Sequence, residues 1–161
     1  MKYTRKNFKT RNVAGTRKQI GNVMGGKSKR VNQKEFDMIV KKMLEMLTSI
    51  KLYHWNTFSY STHKATDSLH EELSGHVDKY VETMIGKSNG KYRINMAHFS
   101  KLLIKGVLNN NQMENEIKLL IGELTRFHNK LPSSFYSDVV NIKDEIVADL
   151  NKFLYLLTLK Q

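Results

Sequence analysis

Four stretches of the chain repeat apolar residues at three- and four-residue steps, and none alternates with strand period over a useful length. The first stretch holds Phe36, Ile39, Val40, Met43, Leu44, Leu47, Ile50 and Leu52. A polar stretch, Asn56 to Ser61, interrupts it and offers Ser and Thr caps for a second helix from about Thr62 to Ile85. Gly86-Lys87-Ser88-Asn89-Gly90 is a turn signal that ends that helix. A third helix is predicted over about Gln112 to Lys130, with Ile117, Leu120, Ile121, Leu124 and Phe127 inward. The fourth starts near Ser137-Asp138 and carries Val139, Ile142, Ile146, Leu150, Phe153 and Leu157 on one stripe. Pro132, the single proline, lies between the last two helices, where it breaks no helical hydrogen bond. Between the second and third helices, the apolar piece from Ala97 to Leu108, with Phe99, Leu102, Leu103, Ile104 and Val107, is predicted as a short helix in a long connection. Gly122 within the third helix predicts a close helix approach. The expected fold is all-α: a four-helix bundle over residues 35–161 with one long crossover.

The charge is placed unevenly. The formal net charge is +12, from 27 Lys and Arg against 15 Asp and Glu. Residues 1–34 hold 11 of the basic side chains and no acid, which leaves 16 basic against 15 acidic residues, or +1, for residues 35–161. Residues 1–34 are therefore a basic arm on an almost neutral body. Rich in Asn, Thr, Ser and Gly, the arm has too little apolar surface to offset its ordering entropy and is expected to be disordered. Lys2, Arg5, Lys6, Lys9, Arg11, Arg17, Lys18, Lys27, Lys29 and Arg30 are its candidate nucleic-acid contacts, since such a segment suits phosphate neutralisation. A solubilising tail, a targeting segment rich in Arg and Lys, or an arm that docks on an acidic protein surface has the same composition. With no cysteine, thiolate metal sites, iron–sulfur clusters and disulfides are excluded. The longest apolar run, around Leu154 to Leu157, falls far short of the ~18–20 residues that span a bilayer. The N-terminus has no apolar core of a secretory signal, so the expected location is intracellular or packaged within a particle.

The chemistry is concentrated between His54 and Glu82. His63 and Asp67 are four residues apart, as are Asp78 and Glu82, so each pair projects from one face of a helix. Singly, such a pair is an ordinary solvated helix pair. Together with His54 they form an imidazole and carboxylate set suited to non-haem iron or a similar divalent metal. Asp67 and Asp78 lie eleven residues apart, hence roughly 16 Å along the axis at ~1.5 Å per residue, and metal–ligand bonds are only about 2 Å. Either the two pairs build two poor sites, or a second copy of the chain supplies the missing half across an isologous interface. Trp55 and His70 stand next to these residues as supporting partners, Trp55 by packing and His70 as a neighbour on the same helix. His76 reads as a surface or interface residue, and His98 and His128 as structural. For Tyr53, Tyr60 and Tyr80 the expectation is packing with a satisfied hydroxyl.

These residues resemble the Dps family, the ferritin-like DNA-binding miniferritins. The resemblance rests on His54-Trp55 at the end of the first helix, His63-x-x-x-Asp67 on the second, and Asp78-x-x-x-Glu82 beginning fifteen residues after His63. It implies a ferritin-like bundle with a short helix in its crossover. It implies that His54, His63, Asp67, Asp78 and Glu82 hold two irons as a ferroxidase centre shared between subunits, His54, His63 and Asp67 from one chain and Asp78 and Glu82 from the other. By the same resemblance, Fe(II) is oxidised by peroxide or oxygen, protecting against oxidative stress, in a homo-oligomer that is a two-fold dimer or a dodecamer. Trp55 would then be a packing residue and a sacrificial electron donor. The spacing of nine residues from His54 to His63 is shorter than the family's usual one. The basic arm is similar to the lysine-rich tails by which some members hold DNA, and the Lys- and Asn-rich texture is similar to ferritin-like proteins of large DNA viruses. The competing reading is non-enzymatic: a virion or nucleoid packaging protein that uses the bundle only to dimerise.

Overall fold

The computed structural model describes residues 32–105, 109–132 and 134–159. The candidate arm contacts from Lys2 to Arg30 lie outside them. Among the described residues there are four α-helices and no strand: α1 (Gln33–Asn56), α2 (Tyr60–Lys87), α3 (Asn110–His128) and α4 (Ser137–Thr158). No helix among them is long and apolar enough to cross a membrane.

The helix starts follow from local chemistry. Asn32 caps α1, its Oδ1 accepting from the Glu35 N–H at 2.9 Å while Glu35 Oε2 accepts from the Asn32 N–H at 3.3 Å. Asn109 and Gln112 form the same reciprocal box at the start of α3. Each box satisfies two backbone donors that the first turn leaves open. Ser59 caps α2, which therefore starts at Tyr60, two residues before the expected Thr62. The polar stretch shrinks to a link of three residues, Thr57 to Ser59. α2 runs to Lys87, and Asn89 and Gly90 turn the chain with φ of 53° and 75°, a conformation that costs glycine nothing. α4 begins at Ser137 as expected, yet neither Ser137 nor Asp138 is its cap; the flanking residue is Tyr136, with no side-chain cap bond.

Packing runs α1 on α2, α1 on α3, α2 on α4 and α3 on α4. Each cross-pair fixes a direction. Glu35 meets Lys130 at 2.7 Å and Tyr53 Oη donates to Asn110 Oδ1 at 2.7 Å, so α1 and α3 are antiparallel. Glu72 pairs with Lys152 at 3.2 Å and Lys87 with Asp138 at 2.8 Å, so α2 and α4 are antiparallel as well. The helices thus run up, down, down, up, and the long connection between α2 and α3 is the crossover this order requires. Phe36, Met43, Ile50, Leu73, Tyr80, Met84, Ile117, Leu124, Ile146 and Phe153 fill the centre and are all but inaccessible.

The crossover differs from expectation. Its helix is one 3-10 turn, Met96–Phe99, and the apolar run beyond it lies on the surface, with Leu103 70% and Ile104 54% exposed. Polar contacts pin it to α1. The side chain of Gln33 bonds the backbone of Arg93, the buried Asp37 takes His98 Nδ1 at 2.7 Å, and Glu45 Oε1 accepts from the Leu103 N–H at 2.9 Å. Gly122 makes no close approach, since a Cβ built there meets nothing within 4 Å.

Candidate metal centre at the α1–α2 corner

The three-residue link folds the last turn of α1 onto the first turns of α2 and brings His54 and His63 together. His54 Nδ1 lies 3.0 Å from the carbonyl oxygen of His63 and 3.1 Å from Thr66 Oγ1. His63 Nδ1 lies 3.2 Å from the carbonyl oxygen of His54. A carbonyl only accepts, so both rings donate through Nδ1, and in the neutral ring the lone pair lies on Nε2. Thr66 spends its own hydrogen on Thr62 or His63 carbonyl oxygens, at 2.8 and 2.9 Å, which leaves its oxygen to accept from His54. The rings stack with centroids 3.8 Å apart and planes 26° from parallel. Anchoring one ring nitrogen on a fixed acceptor is how a metal-ligating imidazole is held in orientation.

Asp67 stands one turn along α2. Its Oδ1 is 3.9 Å from His54 Nε2 and 3.8 Å from Lys51 Nζ. Lys51 also lies over the Trp55 ring, 5.9 Å from its centroid. Trp55 is two-thirds exposed, so within one chain it does not pack as expected; its ring borders an open groove of about 390 Å³ with Leu47, Leu52, His70 and Leu102. Burial pushes the His70 imidazole below its ordinary pKa; the Lys51 charge adds to this and Asp67 opposes it.

Asp78 and Glu82 stay apart from this corner. Both are exposed on α2, and neither forms a hydrogen bond or ion pair with any described residue. Asp78 is eleven residues beyond Asp67, about 16 Å along the helix. Among the described residues His54 therefore stands beside His63 and Asp67, while Asp78 and Glu82 have no partner. Among the described residues, no three His, Asp or Glu side chains stand close enough to hold an ion. The donor set nevertheless fits one chemically, with two imidazole Nε2 lone pairs and a carboxylate at one corner and two free carboxylates on the same helix.

The remaining histidines have partners. His76 Nδ1 meets Asp149 at 2.8 Å, and His98 meets Asp37. His128 Nδ1 donates to the Leu124 carbonyl at 2.6 Å, so its Nε2 accepts from Tyr80 Oη at 3.1 Å. Burial drives the His128 pKa down to about 4 and raises that of Tyr80. Tyr53 and Tyr80 are thus satisfied and packed, while Tyr60 is 74% exposed. Sequence reasoning passed over Lys51 and Thr66. Their signals were spacing: Lys51 is three residues before His54, and Thr66 three after His63.

A family model described as a family of unknown function, DUF5856, matches residues 54–157, more than half of the chain. The match begins at His54 and takes in all five candidate ligands. No curated protein and no solved structure matches the chain.

Proposed function

From the premise that the chain belongs to DUF5856, a family of unknown function, we propose that it is a ferritin-like, Dps-like ferroxidase acting at sites shared between two copies. The observation that carries this reading is the reciprocal clasp of His54 and His63. Each ring is held through Nδ1 by the other residue's carbonyl oxygen, and His54 Nε2 lies 3.9 Å from Asp67 Oδ1. The up-down-down-up bundle with one crossover supports the ferritin-like part.

In this reading His54, His63 and Asp67 of one chain and Asp78 and Glu82 of another bind two ferrous ions as substrate. The imidazoles are neutral ligands and the carboxylates balance the charge of the ions. Two Fe(II) give two electrons to one peroxide, which with two protons leaves as two waters. Taking both electrons together avoids the hydroxyl radical that a one-electron step releases. The basic residues from Lys2 to Arg30 bind nucleic acid in the same reading, and their net positive charge supports it. A nucleoid, nuclear or virion setting accords with that arm.

The test is anaerobic Fe(II) loading followed by a peroxide pulse, on wild type and Asp78→Ala in parallel. Fast oxidation consuming about two irons per peroxide, lost in the variant, is the expected result. Equal, slow oxidation in both would overturn the ferroxidase and favour a packaging protein that uses its bundle only to associate.

A further inference from the structure

The outward stripe of α2 carries more negative charge than the described residues compensate. Asp67, Glu71, Asp78 and Glu82 all lie on it and are exposed. Glu71, Asp78 and Glu82 have no hydrogen bond or ion pair with a described residue, and Asp67 has only the long contacts to Lys51 and His54. The stripe is also symmetric. His63 and Glu82, Asp67 and Asp78, Glu71 and Ser74, and Tyr60 and Ile85 are pairs that all share one midpoint, between Glu72 and Leu73. A second copy packed antiparallel on this stripe, with a two-fold axis at that midpoint, sets each residue opposite its counterpart. His63 and Asp67 face the second copy's Glu82 and Asp78, and the exposed ring of Tyr60 covers its half-buried Ile85.

An independent observation points to a ligand in this seam. His54 is only 6% exposed, its Nδ1 is anchored, and its Nε2 has no hydrogen-bond partner and faces Asp67 across 3.9 Å. Among the described residues, packing the stripe on its copy with no cation present gathers four carboxylates from each chain, against Lys51 and Lys64. Like charges set opposite each other in an interface suppress association. A divalent cation at each half-site reverses that sign and adds bonds from both chains.

We propose that divalent cations control assembly: without them the chains stay apart, and cation binding at the α1–α2 corner closes two copies on the α2 stripe. This rests on the shared-site reading and adds its regulation. Because the cation binds the pair better than the single chain, it drives association by mass action, and association tightens cation binding by the same factor.

The test is sedimentation velocity of the full chain at fixed salt, in chelator and across a Co²⁺ titration, with the visible absorption of Co²⁺ reporting binding. The expected result is a single-chain species in chelator and at least a doubling of mass with Co²⁺, reversed by chelator and absent in Asp78→Ala. Glu71→Gln removes charge from the seam without removing a proposed ligand, so it should associate at a lower Co²⁺ concentration than wild type. The same mass in chelator and in Co²⁺ would overturn the proposal. If that associated chain still oxidises iron with dependence on Asp78, the control falls while the shared site stands. Association driven by Co²⁺ with no iron oxidation leaves the control standing and removes the ferroxidase.

Discussion

One helix presents two unlike edges. Where α2 meets α4, acid and base alternate across the contact: Glu72 with Lys152, His76 with Asp149, Lys79 with Glu145 at 3.2 Å, and Lys87 with Asp138. Lys87 even holds the Asp138 carboxyl below its ordinary pKa through their hydrogen bond. About a quarter turn away, Glu71, Asp78 and Glu82 have no such partners among the described residues. Both edges are polar, so composition does not separate them. What separates them is whether the described residues provide the counter-charge. An edge completed inside the chain serves the fold, and one left incomplete is available to an ion or to another molecule.

Substitutions can break this contrast, starting with the largest effect. Leu73→Ala, on the inward face that divides the two edges, should cost about 2–5 kcal/mol in a denaturant titration, because Leu73 is fully buried. Asp78→Ala in the same titration should stay within about 0.5 kcal/mol of wild type, even though it is expected to abolish iron oxidation. Acid should act on the interior through His128. Folded His128 stays neutral down to about 4, while the unfolded chain takes up that proton near its ordinary value of about 6.5. The unfolded state thus binds the extra proton between these values. Stability should fall as pH drops through that window, by on the order of 3 kcal/mol at pH 4. Urea titrations at pH 7, 5.5 and 4.5 would read this, and His128→Gln, which keeps an acceptor for Tyr80, should show a shallower slope. The smallest effect belongs to the completed edge: Lys152→Ala should lose roughly 0.2–1 kcal/mol, less at high salt, as exposed ion pairs do. A larger loss there would show that the α2–α4 edge is a cooperative network and not a row of separate pairs.

The helices were legible because burial imposes a period. The inward residues named for α3 and α4 are buried or packed against the core, as are Phe36, Ile39, Val40, Met43 and Ile50 of α1. The crossover was not, since Leu102-Leu103-Ile104 has the composition of a core segment. Polar contacts from Gln33 and Asp37 pin the crossover before that run, and Glu45 pins the run itself, from 58 to 61 positions away in the chain. Of the candidate site, residue types and helix faces could be read from spacing. The orientation of its rings could not, because their anchors are main-chain carbonyl oxygens that no residue letter records. Trp55 misled for a related reason: its neighbour Tyr53 takes the inward position, and the indole is left on the outer surface.

The clasp between His54 and His63 has a consequence for how the site can change. Each imidazole is aimed by backbone, and every residue type has that backbone. Replacing one histidine leaves the other's anchor in place, so the two ring positions can vary independently. The link from Thr57 to Ser59 has no such freedom. One residue added there would shift the register of α2 against α1, part both nitrogens from their carbonyls and misaim both rings with every ligand still present. The length of this link is therefore as much a part of the site's specification as the residues that would touch the metal.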